Sequence, residues 1–167
     1  MKEAIQLTDY AARIQEALSK GILLNTNGEK FNAMVIAWGN VGITWGMPTF
    51  VAYVRGSRYS KAQIDKTGEF TLSVPLGEPD PVIAKVCGSQ SGRDVDKVKE
   101  AGLTLEAPEA NQTPGVREYP LTLECKVLYA QEQELSGLPD VIRERFYPNG
   151  DAHTAYVAQI LKAYIIR

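Results

Sequence analysis

One histidine, His153, and two cysteines, Cys87 and Cys125, are the only imidazole and thiol groups in this 167-residue chain. Zinc centres need several such side chains in close pairs, and no Cys-x-x-Cys spacing occurs. Neither a metal site nor a disulfide framework is expected, and the two thiols read as reduced and buried. A basic excess is also missing. Eighteen Lys and Arg stand against 20 Asp and Glu, a net charge of -2. Nucleic-acid binding draws on a cationic surface, so no such partner is expected. No run of about 18 apolar residues is present, which excludes a spanning helix. The opening Met1-Lys2-Glu3-Ala4-Ile5-Gln6 lacks the apolar stretch of a signal peptide, so a cytoplasmic protein without membrane contact is the expectation. The nucleotide fingerprints G-x-x-x-x-G-K-[ST] and G-x-G-x-x-G are absent too. His153 has no Ser or Cys elbow to activate, which disfavours a hydrolase.

What remains is ordinary globular composition, 44% hydrophobic and 23% charged. At roughly 150 residues per domain, the length suits one domain over residues 1–167. Ile14, Ala17 and Leu18 lie on one face of a helix over Tyr10–Leu18, with Gly21 where it would end. Extended runs follow at Ile22–Asn25, Phe31–Trp38, Thr49–Val54 and Glu69–Val74, with Asn27-Gly28 as a hairpin signal. Pro81–Cys87 and Asp94–Ala101 read as short helices stopped by Gly88 and Gly102, and residues 106–120 read as a loop. Leu121–Tyr129 and Thr154–Ile166 are long strands, with a turn or two of helix at Val141–Phe146 between them. Strands without regularly interposed helices exclude repeated βαβ units. The fold class is therefore mainly β with short helices, as an antiparallel barrel.

Two turns carry the chemistry. In Arg55-Gly56-Ser57-Arg58-Tyr59-Ser60 a strand gives way to a helix opening at Lys61, with Ser57 as a candidate N-cap. Exposed amides at such a turn form a phosphate seat. Cys87-Gly88-Ser89-Gln90-Ser91-Gly92-Arg93-Asp94 offers the same groups, with Ser91 and Asp94 spaced as in a capping box. The two turns could clamp one phosphate or a longer polar tail; alternatively the serines only cap helices and the arginines are solvated.

Order and spacing extend this further. Asn32-Ala33-Met34-Val35-Ile36-Ala37-Trp38-Gly39, Trp45-Gly46-Met47-Pro48, Tyr53–Ser60, Cys87–Asp94 and His153-Thr154-Ala155-Tyr156 together resemble the flavin reductase-like family of FMN-binding split barrels, particularly its flavoredoxin-type members. The resemblance implies an antiparallel split β-barrel of the FMN-binding type, a homodimer, and one noncovalent FMN per subunit near the interface. Asn32, Ala33 and Met34 match the strand along the flavin ring, the small Ala33 side chain allowing close approach. Arg55, Ser57, Arg58, Ser89, Gln90, Ser91 and Arg93 match the turns around the ribityl chain and phosphate. His153 matches a histidine on the open side of the flavin, with a surface-loop histidine as the alternative.

The implied activity is an NAD(P)H oxidoreductase passing electrons through FMN to a small-molecule or protein acceptor. An FMN electron carrier or store is the second reading, and a barrel serving as an interaction module is the third. Two departures stand out. Val35 replaces a threonine usual in the family, and Gly56 and Ser60 stand where Pro and Thr are common. Trp38 and Trp45 read as core or dimer-interface residues in preference to flavin-stacking ones.

Overall fold

In the computed structural model, which describes residues 1–167, the chain order is β1 (Lys2–Ala4), α1 (Leu7–Lys20), β2 (Ile22–Asn27), β3 (Phe31–Ile36), β4 (Gly39–Thr44), β5 (Met47–Arg55), α2 (Tyr59–Thr67) and β6 (Glu69–Val74). There follow α3 (Pro81–Ser89), α4 (Lys97–Ala101), β7 (Leu105–Glu106), β8 (Gly115–Val116), β9 (Leu121–Glu132), a 3-10 turn (Leu135–Gly137), α5 (Asp140–Phe146) and β10 (His153–Ile166). The main sheet runs β3-β2-β6-β9-β10-β5-β4 with every pairing antiparallel, and β1 joins β10 beyond the end of β5. No ladder joins the outer strands β3 and β4. This is the expected split barrel, and no helix is long and apolar enough to cross a membrane.

Inward residues of α1, α2, β2, β3, β5, β6, β9 and β10 form one cluster of 21 buried side chains, among them Ile14, Leu24, Phe50, Ile64, Phe70, Leu123 and Tyr156. A second cluster of nine lies on the other side of β2 and β3, where Leu23 and Ala33 meet Ile83, Val86 and Cys87 of α3. Burial on both faces explains why Ile22-Leu23-Leu24 reads as a continuous apolar run and not as an alternation. Gly21 ends α1 at φ 103, its amide bonding back to Ala17 and Leu18, and a Cβ there would sit 2.8 Å from Val35 Cγ1.

Some expectations change. The Asn27-Gly28 hairpin exists, but Asn27 pairs with Phe31, so the loop has three residues, and Gln63 Oε1 accepts from the Gly28 and Glu29 amides. Strand β4 escapes a propensity reading because Gly39-Asn40-Val41-Gly42 is poor strand material. It forms because it hairpins onto β5 through Trp45 and Gly46, both at positive φ (52° and 74°), the signature of a two-residue primed turn. Trp45, 60% exposed at this tip, is no core residue, and Trp38, 40% exposed, is not either. The segment over residues 106–120 is closed at its base by the short β7–β8 pair, Leu105 with Val116 and Glu106 with Gly115, and covers the outer face of β9. Glu124, polar in a clean alternation, is thereby fully buried. Its carboxylate accepts from the amides of Glu109 (2.8 Å), Ala110 (2.6 Å) and Asn111 (3.1 Å) and from the Tyr164 hydroxyl (2.8 Å).

Candidate functional site

The two polar turns meet. Ser57, Arg58, Tyr59 and Ser60 from the β5–α2 junction face Ser89, Gln90, Ser91, Gly92 and Arg93 from the α3–α4 connection across a cavity of ≈ 220 Å³, with Asn32 and Met34 of β3 on its wall. Arg93 spans the gap: its Nη1 donates to Ser57 O at 3.2 Å, and its guanidinium lies 5.3 Å from the centre of the Tyr59 ring. Gly92 permits the approach, since a Cβ there would fall 2.1 Å from Asn32 Oδ1. Fifteen residues line the cavity, three of them cations (Arg58, Arg93, Lys97) and none a carboxylate. In a chain of net charge -2, that local imbalance makes the hollow an anion seat.

Capping follows other residues than those the sequence suggests. The residue before α2 is Arg58, without a side-chain cap. Ser57 instead turns to Asp151, donating its amide (2.9 Å) and hydroxyl (2.7 Å) to that carboxylate. Burial alone would raise Asp151, but these Ser57 bonds, with Arg55 and Arg58 nearby, hold it below the usual carboxylate range. The Ser57 amide is thus occupied, whereas the Tyr59 and Ser60 amides opening α2 make no backbone bond. Ser91 does not cap α4 either: Asp96 does, accepting from Val98 and Lys99, while Ser91 O accepts from the Asp94 and Val95 amides. The helix starts at Lys97, later than its Asp94 expectation.

Three of the sequence-selected residues stand apart. Ala33 is buried with its side chain in the second core cluster and does not line the anion seat, so its smallness serves packing against α3. Arg55 is drawn away from the anion seat, its guanidinium donating to Phe146 O (2.9 Å) and Asp151 O (3.1 Å). His153 opens β10, buried to 7% exposure, so it is not a surface-loop residue.

Arg55 and His153 border instead a second groove of ≈ 190 Å³ with Ile36, Ala37, Trp38 and Tyr53, and this groove shares Met34, Val35 and Arg58 with the anion seat. The two therefore form one elongated cleft, hydroxyl-rich and cationic at one end and lined mainly by apolar and aromatic side chains at the other, where Arg55 and Arg58 add charge at the edge. Trp38 stands edge-on to Phe146 (5.3 Å between ring centres, 86°) and 4.9 Å from the His153 ring.

Lys97 was not singled out by the sequence, because a lysine in Lys97-Val98-Lys99-Glu100 looks like an ordinary solvated helix residue. It is 4% exposed, and its Nζ donates to Ala33 O (2.8 Å) and Cys87 O (3.2 Å) beneath the cavity. Burial, with Arg58 adding to it, lowers its pKa below the usual lysine range, while Cys87 works the other way. Asn32 Oδ1 is a second signal: it is buried without a hydrogen-bond partner, although Asn32 Nδ2 donates to Ser60 Oγ at 2.9 Å. A buried acceptor on a cavity wall asks for a donor from a ligand. No group of His, Cys, Asp and Glu could hold a metal ion.

Comparison with known proteins agrees with this architecture. A protein of Archaeoglobus fulgidus, itself uncharacterised, is 28% identical over 139 residues, covering 83% of this chain and 68% of the relative. Among solved structures, flavoredoxin of Desulfovibrio vulgaris (Miyazaki F) superposes with a TM-score of 0.69 at 23% identity, covering 88% of this chain and 69% of its own. An FMN-binding domain of a flavin reductases-like enzyme from Shewanella baltica OS155 gives 0.66 at 18% identity, covering 99% and 77%. The model of the flavin reductase like domain matches residues 16–167. With nearly the whole chain inside that match, this protein belongs to the flavin reductase-like family.

Proposed function

We propose that the cleft binds one FMN and that the protein is an FMN-dependent NAD(P)H oxidoreductase, working as a cytoplasmic homodimer of single-domain subunits. The observation that carries this reading is the gradient along one continuous cleft: an acid-free seat rich in serines with Arg93 and Lys97 at one end, Arg58 at the junction, and at the other a groove lined mostly by apolar and aromatic side chains, with Arg55 and His153 at its edge. A phosphate ester joined by a polar chain to a flat ring has that same gradient. Arg58, Arg93, Ser89, Gln90, Ser91 and the free α2 amides would hold the phosphate. Asn32 Oδ1, on the wall of the polar end, would take a hydrogen bond from a hydroxyl of the polar chain, and the Met34 segment, common to both ends, would lie along the ring. When bound, the flavin supplies hydride and electron transfer between the nicotinamide and the acceptor.

The chain's own residues bind, orient and exclude water. Arg93 ties the two turns to each other through Ser57 O, and Arg55 stiffens the loop before β10. Buried Lys97 places positive charge under the polar end, where it favours an anionic ligand group. No strong acid or base is required of the side chains, which suits the small number of catalytic-looking residues. The single domain and the homodimer rest on chain length and on the family resemblance. The protein's relatives support the cofactor: the Shewanella domain is described as FMN-binding and the Desulfovibrio protein as a flavoredoxin.

Spectrophotometry of the purified protein tests the reading. FMN addition should quench flavin fluorescence on binding, and anaerobic NADH or NADPH should then bleach the bound flavin. No binding of FMN refutes the proposal. Binding without bleaching by either nucleotide refutes the reductase and leaves an electron carrier or flavin store.

A further inference from the structure

We propose that Tyr147 and Gln133 lock His153 into one neutral tautomer, so that its Nε2 presents only a lone pair to the cleft and selects ligands bearing an uncharged N–H or O–H donor. The inference deepens the reading of the apolar groove as the second-ligand end of the flavin site, and rests on that reading only for the ligand, not for the tautomer.

The hydrogen-bond chain leaves one place for each proton. Tyr147 Oη lies 2.8 Å from Gln133 Oε1 and 2.8 Å from His153 Nδ1. A carbonyl oxygen can only accept, and a phenol has one proton to give. Tyr147 donates that proton to Gln133, so it accepts from His153, and Nδ1 carries the hydrogen. The imidazole remains neutral at physiological pH: burial, with the Arg55 and Arg58 cations beside it, pushes it down to about 4, Asp151 opposing. A neutral ring with Nδ1–H has a bare Nε2. His153 borders the groove, and Nε2 has no partner within the protein.

Everything around the ring holds it still. Tyr147 stands edge-on to it at 5.5 Å and 87°, Trp38 covers it at 4.9 Å, and the Gln133 backbone N–H donates to the His153 backbone carbonyl at 2.8 Å. Tyr147, Gln133 and Trp38 also line an apolar hollow behind the groove together with Leu138 and Phe146. Tyr147 and Gln133 thus act through His153 as positioning residues, and the turn before β10 sets the hydrogen-bond polarity of the cleft. A carboxylate meeting Nε2 would set lone pair against lone pair. The N–H of a primary carboxamide or the O–H of a phenol or quinol would be matched, with the attached ring against Trp38 and Tyr53.

His153 is the sole histidine, so two-bond 1H–15N correlation spectra of 15N-labelled protein show one imidazole without assignment. At neutral pH, with and without FMN, Nδ1 should appear protonated and Nε2 bare; a protonated Nε2 overturns the proposal. Tyr147→Phe should shift the ring toward the Nε2–H form. Gln133→Leu should do the same at a half-buried site that tolerates change, while Gln133→Glu, which keeps the acceptor, should retain the parent pattern. An unaltered tautomer in Gln133→Leu refutes the lock even if Tyr147→Phe does not fold. Benzamide and phenol should each move the Nε2 resonance of the FMN-loaded protein and benzoate should not, with about tenfold weaker benzamide binding in Tyr147→Phe. Benzamide alone moving it assigns the site to amides, phenol alone to hydroxyls, and a benzoate response as large as theirs refutes the selectivity. Because the tautomer is read in FMN-free protein too, its failure is distinct from failure of flavin binding.

Discussion

Lys97 and Glu124 are both charged side chains removed from water, yet their surroundings differ. Glu124 has four donors aimed at its carboxylate, three amides and a phenol, and lies away from the cleft. Lys97 has three protons and two carbonyl partners, and it borders the cavity. Burying an ion is costly, and the protein offsets that cost fully for one and partly for the other. A saturated buried ion belongs to architecture. An unsaturated one beside a hollow is available to a ligand.

The largest break in this comparison is Glu124→Leu. It strands three amides and a hydroxyl, and urea unfolding should show a loss of roughly 3–5 kcal/mol. Flavin titration of the folded fraction should find unchanged affinity, and a weakened flavin site would mean that the loop over residues 106–120 reaches the cleft. Of similar size is the double change Arg58→Ala with Arg93→Ala, which removes two charge-assisted contacts. It should weaken FMN binding by about 3 kcal/mol, a hundredfold or more, with the remaining affinity less dependent on salt. Unchanged affinity would remove the anion seat from the proposal.

A pH titration of stability follows. The folded protein keeps His153 neutral down to about pH 4, whereas the unfolded chain takes up that proton near 6.5. Stability from this group is therefore complete above about pH 6.5 and declines as pH falls toward 4, by up to about 3 kcal/mol. His153→Asn should flatten that part of the profile, and an equally steep decline in the variant would place its origin elsewhere. The smallest effect is expected for Lys97→Met. Relief of desolvation offsets the lost hydrogen bonds, so unfolding should change by about 1 kcal/mol or less. FMN affinity should nevertheless fall by about 1–2 kcal/mol. A large stability loss with full flavin binding would move Lys97 into the same class as Glu124.

The same contrast explains what the sequence could and could not show. Alternation marked β6 and β9, an apolar run marked β2, and β-branched and aromatic residues marked β10, because each pattern reflects a face the strand must bury. The two serine- and arginine-rich turns were legible from composition, and they do converge. The burial of Glu124 was hidden, since a period of two says nothing of a loop folding over the outer face. Lys97 looked solvated because its carbonyl partners, Ala33 and Cys87, come from other elements. The Ser57–Asp151 contact joins residues 94 positions apart, beyond any local rule. Strand β4 was hidden because its pairing to β5 outweighs weak intrinsic preference.

The β9–β10 ladder slips twice, passing over Leu128 on one strand and Leu161 on the other, so the second slip restores the register the first had shifted. Along β10 the core-facing set is even-numbered at Tyr156, Ala158 and Ile160 but includes the odd-numbered Ile165, while Tyr164 meets Glu124 outside. Leu161 thus takes up a place in the sequence without taking one in the ladder, so the core-facing set passes from even to odd numbers while the inner and outer faces keep their assignments. Deleting it would leave Lys162 following Ile160 in unbroken alternation, so Ala163 and Ile165 would stay inward and the Tyr164 phenol would keep its place beside Glu124.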